Sequence, residues 1–125
     1  MDIMLINKEY LRMNLNHIFV YEDNLLKKGK NGHAILRSEP NTYGFITKKF
    51  PNNEDKSFFK PEEYKDFFIK EFQKLEFEIR KCSNSLWLIS PLGLDLANKY
   101  NIWEKIIKKE LLKLSERHNN VRLLF

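Results

Sequence analysis

Apolar positions along the chain fall into short continuous runs separated by stripes at helical spacing. The run His17 to Tyr21 (HIFVY) is aromatic and β-branched on both faces, which predicts a buried strand. Thr42 to Thr47 (TYGFIT) and Ser85 to Ser90 (SLWLIS) predict two more strands, and Asn120 to Phe125 (NVRLLF) a closing one. After Pro61, the residues Tyr64, Phe68, Phe72, Leu75 and Ile79 recur at three- and four-residue steps, with Glu62 and Glu63 complementing the helix dipole. Trp103, Ile106, Ile107, Leu111 and Leu114 give the inward stripe of a last long helix, for which Asn101 and Glu104 are spaced as a capping box. Gly32 to Ser38 predicts a short helix, and Ile6, Tyr10 and Leu11 one helical turn before the first strand. Glu39-Pro40-Asn41 reads as a turn and residues 51–56 as a polar surface loop.

Strands alternating with helices predict one α/β domain over residues 1–125, a mostly parallel sheet with helices on both faces. In such folds ligands sit beyond the carboxyl ends of the strands. Asp23-Asn24 and Ser90 to Gly93 both fall there, so the two loops are expected to line one crevice.

Composition narrows the classes. Hydrophobic residues make up 42% and charged ones 31%, with four glycines and four prolines, which excludes disorder and low complexity. The ten phenylalanines recur at strand and helix spacing and read as core rather than as a base-stacking platform. Cys82 is the only cysteine, so no internal disulfide or cysteine metal cluster exists, and a reducing cytoplasm is expected. The opening MDIMLINKEYL lacks the apolar run of a leader, and no stretch approaches a membrane span. Lys and Arg outnumber Asp and Glu by 22 to 17, which favours anionic partners. The charges are interspersed, and Lys105, Lys108, Lys109 and Lys113 read as a solvated helix face, which argues against a nucleic-acid stripe.

Candidate chemistry concentrates between residues 19 and 37. Gly29 and Gly32 would let backbone approach a phosphate where a helix begins, with Lys27, Lys28 and Lys30 adding field. The same spacing also makes an ordinary turn. His17, His33 and His118 show no metal-ligand spacing, so no metal and no cofactor are expected; His33, at the junction of loop and helix, is the one histidine placed to touch a ligand. Asp23, Asp95 and Glu22 are the available acid-base set, and Ser90 lacks the glycine-flanked elbow of a serine hydrolase.

The stretches YEDN (21–24), GKNGHA (29–34), PNTYGFITKK (40–49) and GLDLA (93–97) resemble, in order, the motifs of an uncharacterised group of small phage and bacterial proteins. Its members read F-G-D-N, G-x-G-G-x-A, P-N-x-x-G-I/F-x-T-K and G-x-G-L-A. That group is similar in turn to macro domains, which bind ADP-ribose and related nucleotides. The resemblance implies a macro-like or Rossmann-like three-layer domain in which Asn24 faces a ribose and the glycine loops at Gly29, Gly32 and Gly93 clasp a diphosphate. It departs at Glu22, Asn31 and Asp95, where relatives carry glycine. Asn31 is expected to preserve the turn by adopting the left-handed conformation. A carboxylate about 5 Å from a phosphate repels it by roughly 3 kcal/mol at a dielectric of about 20, on the order of a hundredfold in affinity.

Three outcomes stay open: the acids point away, the ligand is less anionic there, or the pocket is no longer used. The expected function is binding of a nucleotide-derived ligand of the ADP-ribose or cyclic-nucleotide class. Family context adds a phage protein sequestering a host defence signal in the bacterial cytoplasm. Contacts are expected from Glu22, Asp23, Asn24, Gly29, Asn31, Gly32, His33, Lys48, Ser90, Gly93 and Asp95. The alternatives are a protein-interaction module with a decayed pocket, a host defence protein being one such partner, and an ADP-ribosyl hydrolase using Asp23, Asn24 or Asp95.

Overall fold

Four short strands form one parallel sheet in the order β2-β1-β3-β4, in a computed structural model that describes residues 5–125. Residues 1–4, part of the opening stretch read as free of a leader, lie outside the described residues. The strands are β1 (His17–Asn24), β2 (Thr42–Lys48), β3 (Leu86–Ile89) and β4 (Val121–Leu123). Phe19 pairs with Thr42, His17 with Leu86 and Trp87 with Val121, all in parallel register.

Alternation along the strands sorts the core into two clusters. On one face Val20, Phe45, Trp87, Ile89 and Val121 pack beneath α2 (Pro61–Lys81) and α3 (Lys108–Arg117). On the other, Phe19, Tyr21 and Leu88 pack with Leu11 of α1 (Lys8–Met13) and with Ala34 and Leu36. The expected layers are present but unequal. Among the described residues the second face carries only α1 and a 3-10 turn, Gly32–Leu36, where the sequence predicts a helix to Ser38.

Pro61 opens α2, and the Glu63 carboxylate accepts from the Lys60 N–H at 3.0 Å. The stripe from Tyr64 to Ile79 is buried as its spacing requires. Two polar residues of α2 cap the free edge of the sheet. Glu71 accepts from the Ile46 N–H at 2.9 Å, and the Tyr64 hydroxyl donates to the Ile46 carbonyl at 2.6 Å. An edge strand exposes unpaired backbone groups, and here helix side chains satisfy one residue's pair. Asn41 fastens α1 to the sheet by donating from Nδ2 to the carbonyls of Leu11, Asn14 and His17.

The capping box expected at Asn101 does not form. Asn101 is left-handed at φ 62°, and the pairing falls to Asn98, which accepts from the Trp103 N–H at 3.0 Å and donates to Glu104. The helix then starts through a π turn, Trp103–Ile107, before α3. Trp103 is core and packs edge-on against Phe125, whereas Phe77 is exposed. No helix among the described residues is long and apolar enough to cross a membrane.

Candidate functional site

At the carboxyl ends of β1 and β2 the pairing slips. Asp23 faces Ile46, yet Asn24 faces Lys48, leaving Thr47 as an inserted residue. Such a bulge re-aims side chains, and it buries the consecutive polar pair Asp23 and Asn24, 5% and 7% exposed. Beside it lies a cavity of about 100 Å³ lined by Glu22, Asp23, Asn24, Lys28, Gly29 and Asn31, with Lys48, Pro51 and Leu96 closing it. Six of the residues expected to touch ligand therefore meet: Glu22, Asp23, Asn24, Gly29, Asn31 and Lys48. Gly32, His33, Ser90, Gly93 and Asp95 do not line this cavity.

Asp23 and Asn24 hold the loop together and do not extend free polar atoms toward a ligand. Arg37 grips the Asp23 carboxylate, Nη2 to Oδ1 at 2.5 Å and Nε to Oδ2 at 3.2 Å. The same guanidinium donates to the carbonyls of Gly29 and Lys28. Asn24 donates to the Lys28 carbonyl at 2.8 Å and accepts from the Leu26 N–H at 3.1 Å, which folds residues 25–28 into a tight turn. Lys27 takes the left-handed conformation there, at φ 53°. Asn31, expected to be left-handed, is extended at φ −73° and ψ 139°. The positive φ falls on its glycine neighbour Gly32 and on Gly29, so asparagine at 31 needs no unusual conformation.

Gly44 on β2 makes room for this network. A Cβ there would sit 2.7 Å from Asp23 Oδ2 and 3.0 Å from the Tyr21 hydroxyl, which itself reaches Asp23. Gly44→Ala is therefore expected to lose about 1–3 kcal/mol of stability through overpacking, read as a lower urea midpoint with an unchanged slope.

The Glu22 side chain reaches from β1 to the second loop. Its Oε1 accepts from the Gly93 N–H at 2.7 Å, so the amide expected to hold phosphate already binds a carboxylate of the chain itself. Burial raises the Glu22 pKa to about 7, reinforced by Asp95 and opposed by the Gly93 and Leu96 amides and by Lys48. Gly93 is tightly placed at φ +88°, where a Cβ would meet Ile107 Cδ1 at 2.8 Å. Ser90 is buried, its hydroxyl donating to the Val20 carbonyl at 2.9 Å. His33 packs edge-on against Phe19, and burial lowers its pKa. Lys48 donates to the Asn52 carbonyl at 2.8 Å, and burial lowers its pKa against the pull of Glu22.

The first loop is different. Among the described residues, the backbone N–H groups from Gly29 to His33 have no acceptor within the protein. They share the loop with Lys28, and Lys48 stands across the cavity. Of the residues from Gly29 to His33, Gly29 and Asn31 line the cavity, where free amides are available to an anion without any dipole from so short a helical turn.

Residues 3–100 match the profile of a family described as Family of unknown function (DUF7831). The chain belongs to that family. No curated protein and no solved structure matches it. The matched stretch contains β1, β2, β3 and both loops, and ends before α3.

Sequence reasoning missed Arg37, Thr47 and Pro51, whereas Leu96 lies in the stretch 93–97 that it singled out. Arg37 lies fourteen positions after its carboxylate partner, a separation without a local signature. Pro51 approaches through a different loop, close enough that a Cβ on Gly29 would stand 3.1 Å from its Cβ.

Proposed function

We propose that this chain is a binding protein whose first loop takes the anionic end of a nucleotide-derived ligand. The observation that carries the reading is the run of uncommitted N–H groups from Gly29 to His33, of which Gly29 and Asn31 line the cavity together with Lys28 and Lys48. A cavity of about 100 Å³ suits one phosphate-sized group, whereas enclosed ligand sites usually run to about 300–1,000 Å³. The remainder of such a ligand would lie across the rim, where Leu96 is exposed. This narrows the ligand class to molecules presenting a terminal or accessible phosphate. The three residues expected for the hydrolase reading are poorly placed for it: Asp23 is held by Arg37, Asn24 by its own loop, and Asp95 does not line the cavity.

The protein-interaction alternative is favoured by one observation, the Glu22 carboxylate seated on the Gly93 amide. A thermal-shift screen separates the two readings, using ADP-ribose, NAD, cyclic mononucleotides and cyclic oligonucleotides. At about a hundred times its dissociation constant a true ligand stabilises the fold by nearly 3 kcal/mol, several degrees for a domain of this size. Lys28→Glu and Gly32→Glu are each expected to abolish the shift. Absence of any shift across the panel would remove the nucleotide reading and leave the protein-interaction one.

A further inference from the structure

A second concavity lies on the opposite side of the sheet from α1, between α2 and the segment running through the π turn into α3. It measures about 740 Å³, far larger than the cavity at the loops. Its floor is Phe68, Phe72 and Ile106, and Ile69 stands in it half exposed, at 51%. Along α2 it extends from Pro61 to Glu76, a span of roughly 22 Å at about 1.5 Å per residue. That accommodates about four turns of another helix.

The rim is asymmetric in available charge. Arg117 is committed to Glu76, with both of its bonds at 2.9 Å, and His118 and Arg80 also face Glu76. Glu110 has Lys113 as its partner. Among the described residues, Lys65, Lys105 and Lys109 carry no carboxylate partner, against Glu62 as the one unpaired acid on the same rim. The π turn contributes to this wall. One inserted residue rotates the preceding face by about 100° relative to the helix that follows, and Lys105 and Ile106 lie in that turn.

We propose that this groove is a docking site for an acidic amphipathic helix of a partner protein. Apolar side chains at three- and four-residue steps would enter over Ile69, Phe72 and Ile106, and flanking carboxylates would meet Lys65, Lys105 and Lys109. This is the helix-in-groove mode of recognition, with charge selecting among helices of similar apolar face. It is independent of the anion site at the first loop.

The test uses the whole chain and two labelled helical probes of about sixteen residues, identical in their leucine face and differing in glutamate or lysine flanks. Fluorescence anisotropy is expected to show saturable binding of the glutamate-flanked probe and at least about tenfold weaker binding of the lysine-flanked one. Lys65→Glu combined with Lys109→Glu should reverse that preference. Ile69→Ser, at a half-exposed position that leaves the fold intact by circular dichroism, should weaken both probes. Equal binding of the two probes, binding indifferent to all three substitutions, or no binding by either would overturn the proposal. So would self-association of the unmodified chain that Ile69→Ser abolishes, because the groove would then hold a second copy. Binding to phosphatidylserine vesicles without discrimination between the probes would assign the lysines to a lipid surface instead.

Discussion

Arg37→Met is expected to lower the stability of the domain by about 3–5 kcal/mol, the cost of stranding a buried carboxylate whose partner is removed. For a chain of this length that corresponds to a fall in melting temperature of roughly 10–20 °C. The Asp23 side chain is only 2% exposed, so its carboxylate relies on the guanidinium, the Asn24 N–H and the Tyr21 hydroxyl in place of solvent. Arg37 also donates to the Gly29 and Lys28 carbonyls, and its loss frees the loop that carries the proposed anion site. Asp23→Asn in the same chain is the diagnostic partner, since a neutral amide no longer requires a cation. The double variant should recover part of the loss, giving a coupling of at least about 1 kcal/mol in a double-mutant cycle. Strictly additive effects would show that the pair contributes nothing beyond its separate contacts.

The second large effect is a pH dependence centred on Glu22. Its folded pKa stands at about 7, above an ordinary value of 4.5, because burial penalises the ionised form more than the Gly93 and Leu96 amides stabilise it. The folded protein thus holds a proton that the unfolded chain releases, and linkage makes stability fall as pH rises across that interval. The contribution is fully present below the unfolded pKa and is lost by the time pH passes about 7, a total of roughly 3 kcal/mol at about 1.4 kcal/mol per unit. Asp95 and Lys48 face the same carboxylate, and Tyr64 is coupled to it from α2. Glu22→Gln retains an acceptor for Gly93 and has no charge to bury. Urea unfolding at pH 5, 6, 7 and 8 should show the variant gaining on the unmodified chain up to about pH 7 and levelling off by pH 8, and parallel profiles would refute the assignment. The same proton bears on the proposed ligand: a phosphate drawn to the cavity would favour the neutral acid, so affinity should weaken by up to tenfold per unit above pH 7 and Glu22→Gln should flatten that dependence.

Burial patterns carried the architecture because they are local. Continuous apolar runs and the Tyr64 to Ile79 stripe specify elements that can satisfy their own backbone, and alternation of the two leaves few arrangements other than a parallel sheet. The same reasoning pointed to the carboxyl ends of the strands, where Glu22, Asp23, Asn24, Gly29, Asn31 and Lys48 line one cavity, but Ser90, Gly93 and Asp95 of the second loop do not join them. What each side chain does there depended on partners distant in sequence. Asp23 reads as a free acid until Arg37 is folded against it, and Glu22 reads as a charge facing ligand until Gly93, seventy-one positions on, donates to it. Asn31 and Asn101 exchanged expected conformations for the same reason: neighbouring glycines took the strain at the first, and Asn98 took the cap at the second. Periodicity thus determined the layers and the strands, because these arise from contacts within a few residues. Tertiary structure alone decided which polar groups are spent on one another and which remain available to bind, because a hydrogen bond or ion pair between distant segments leaves no pattern in either segment by itself.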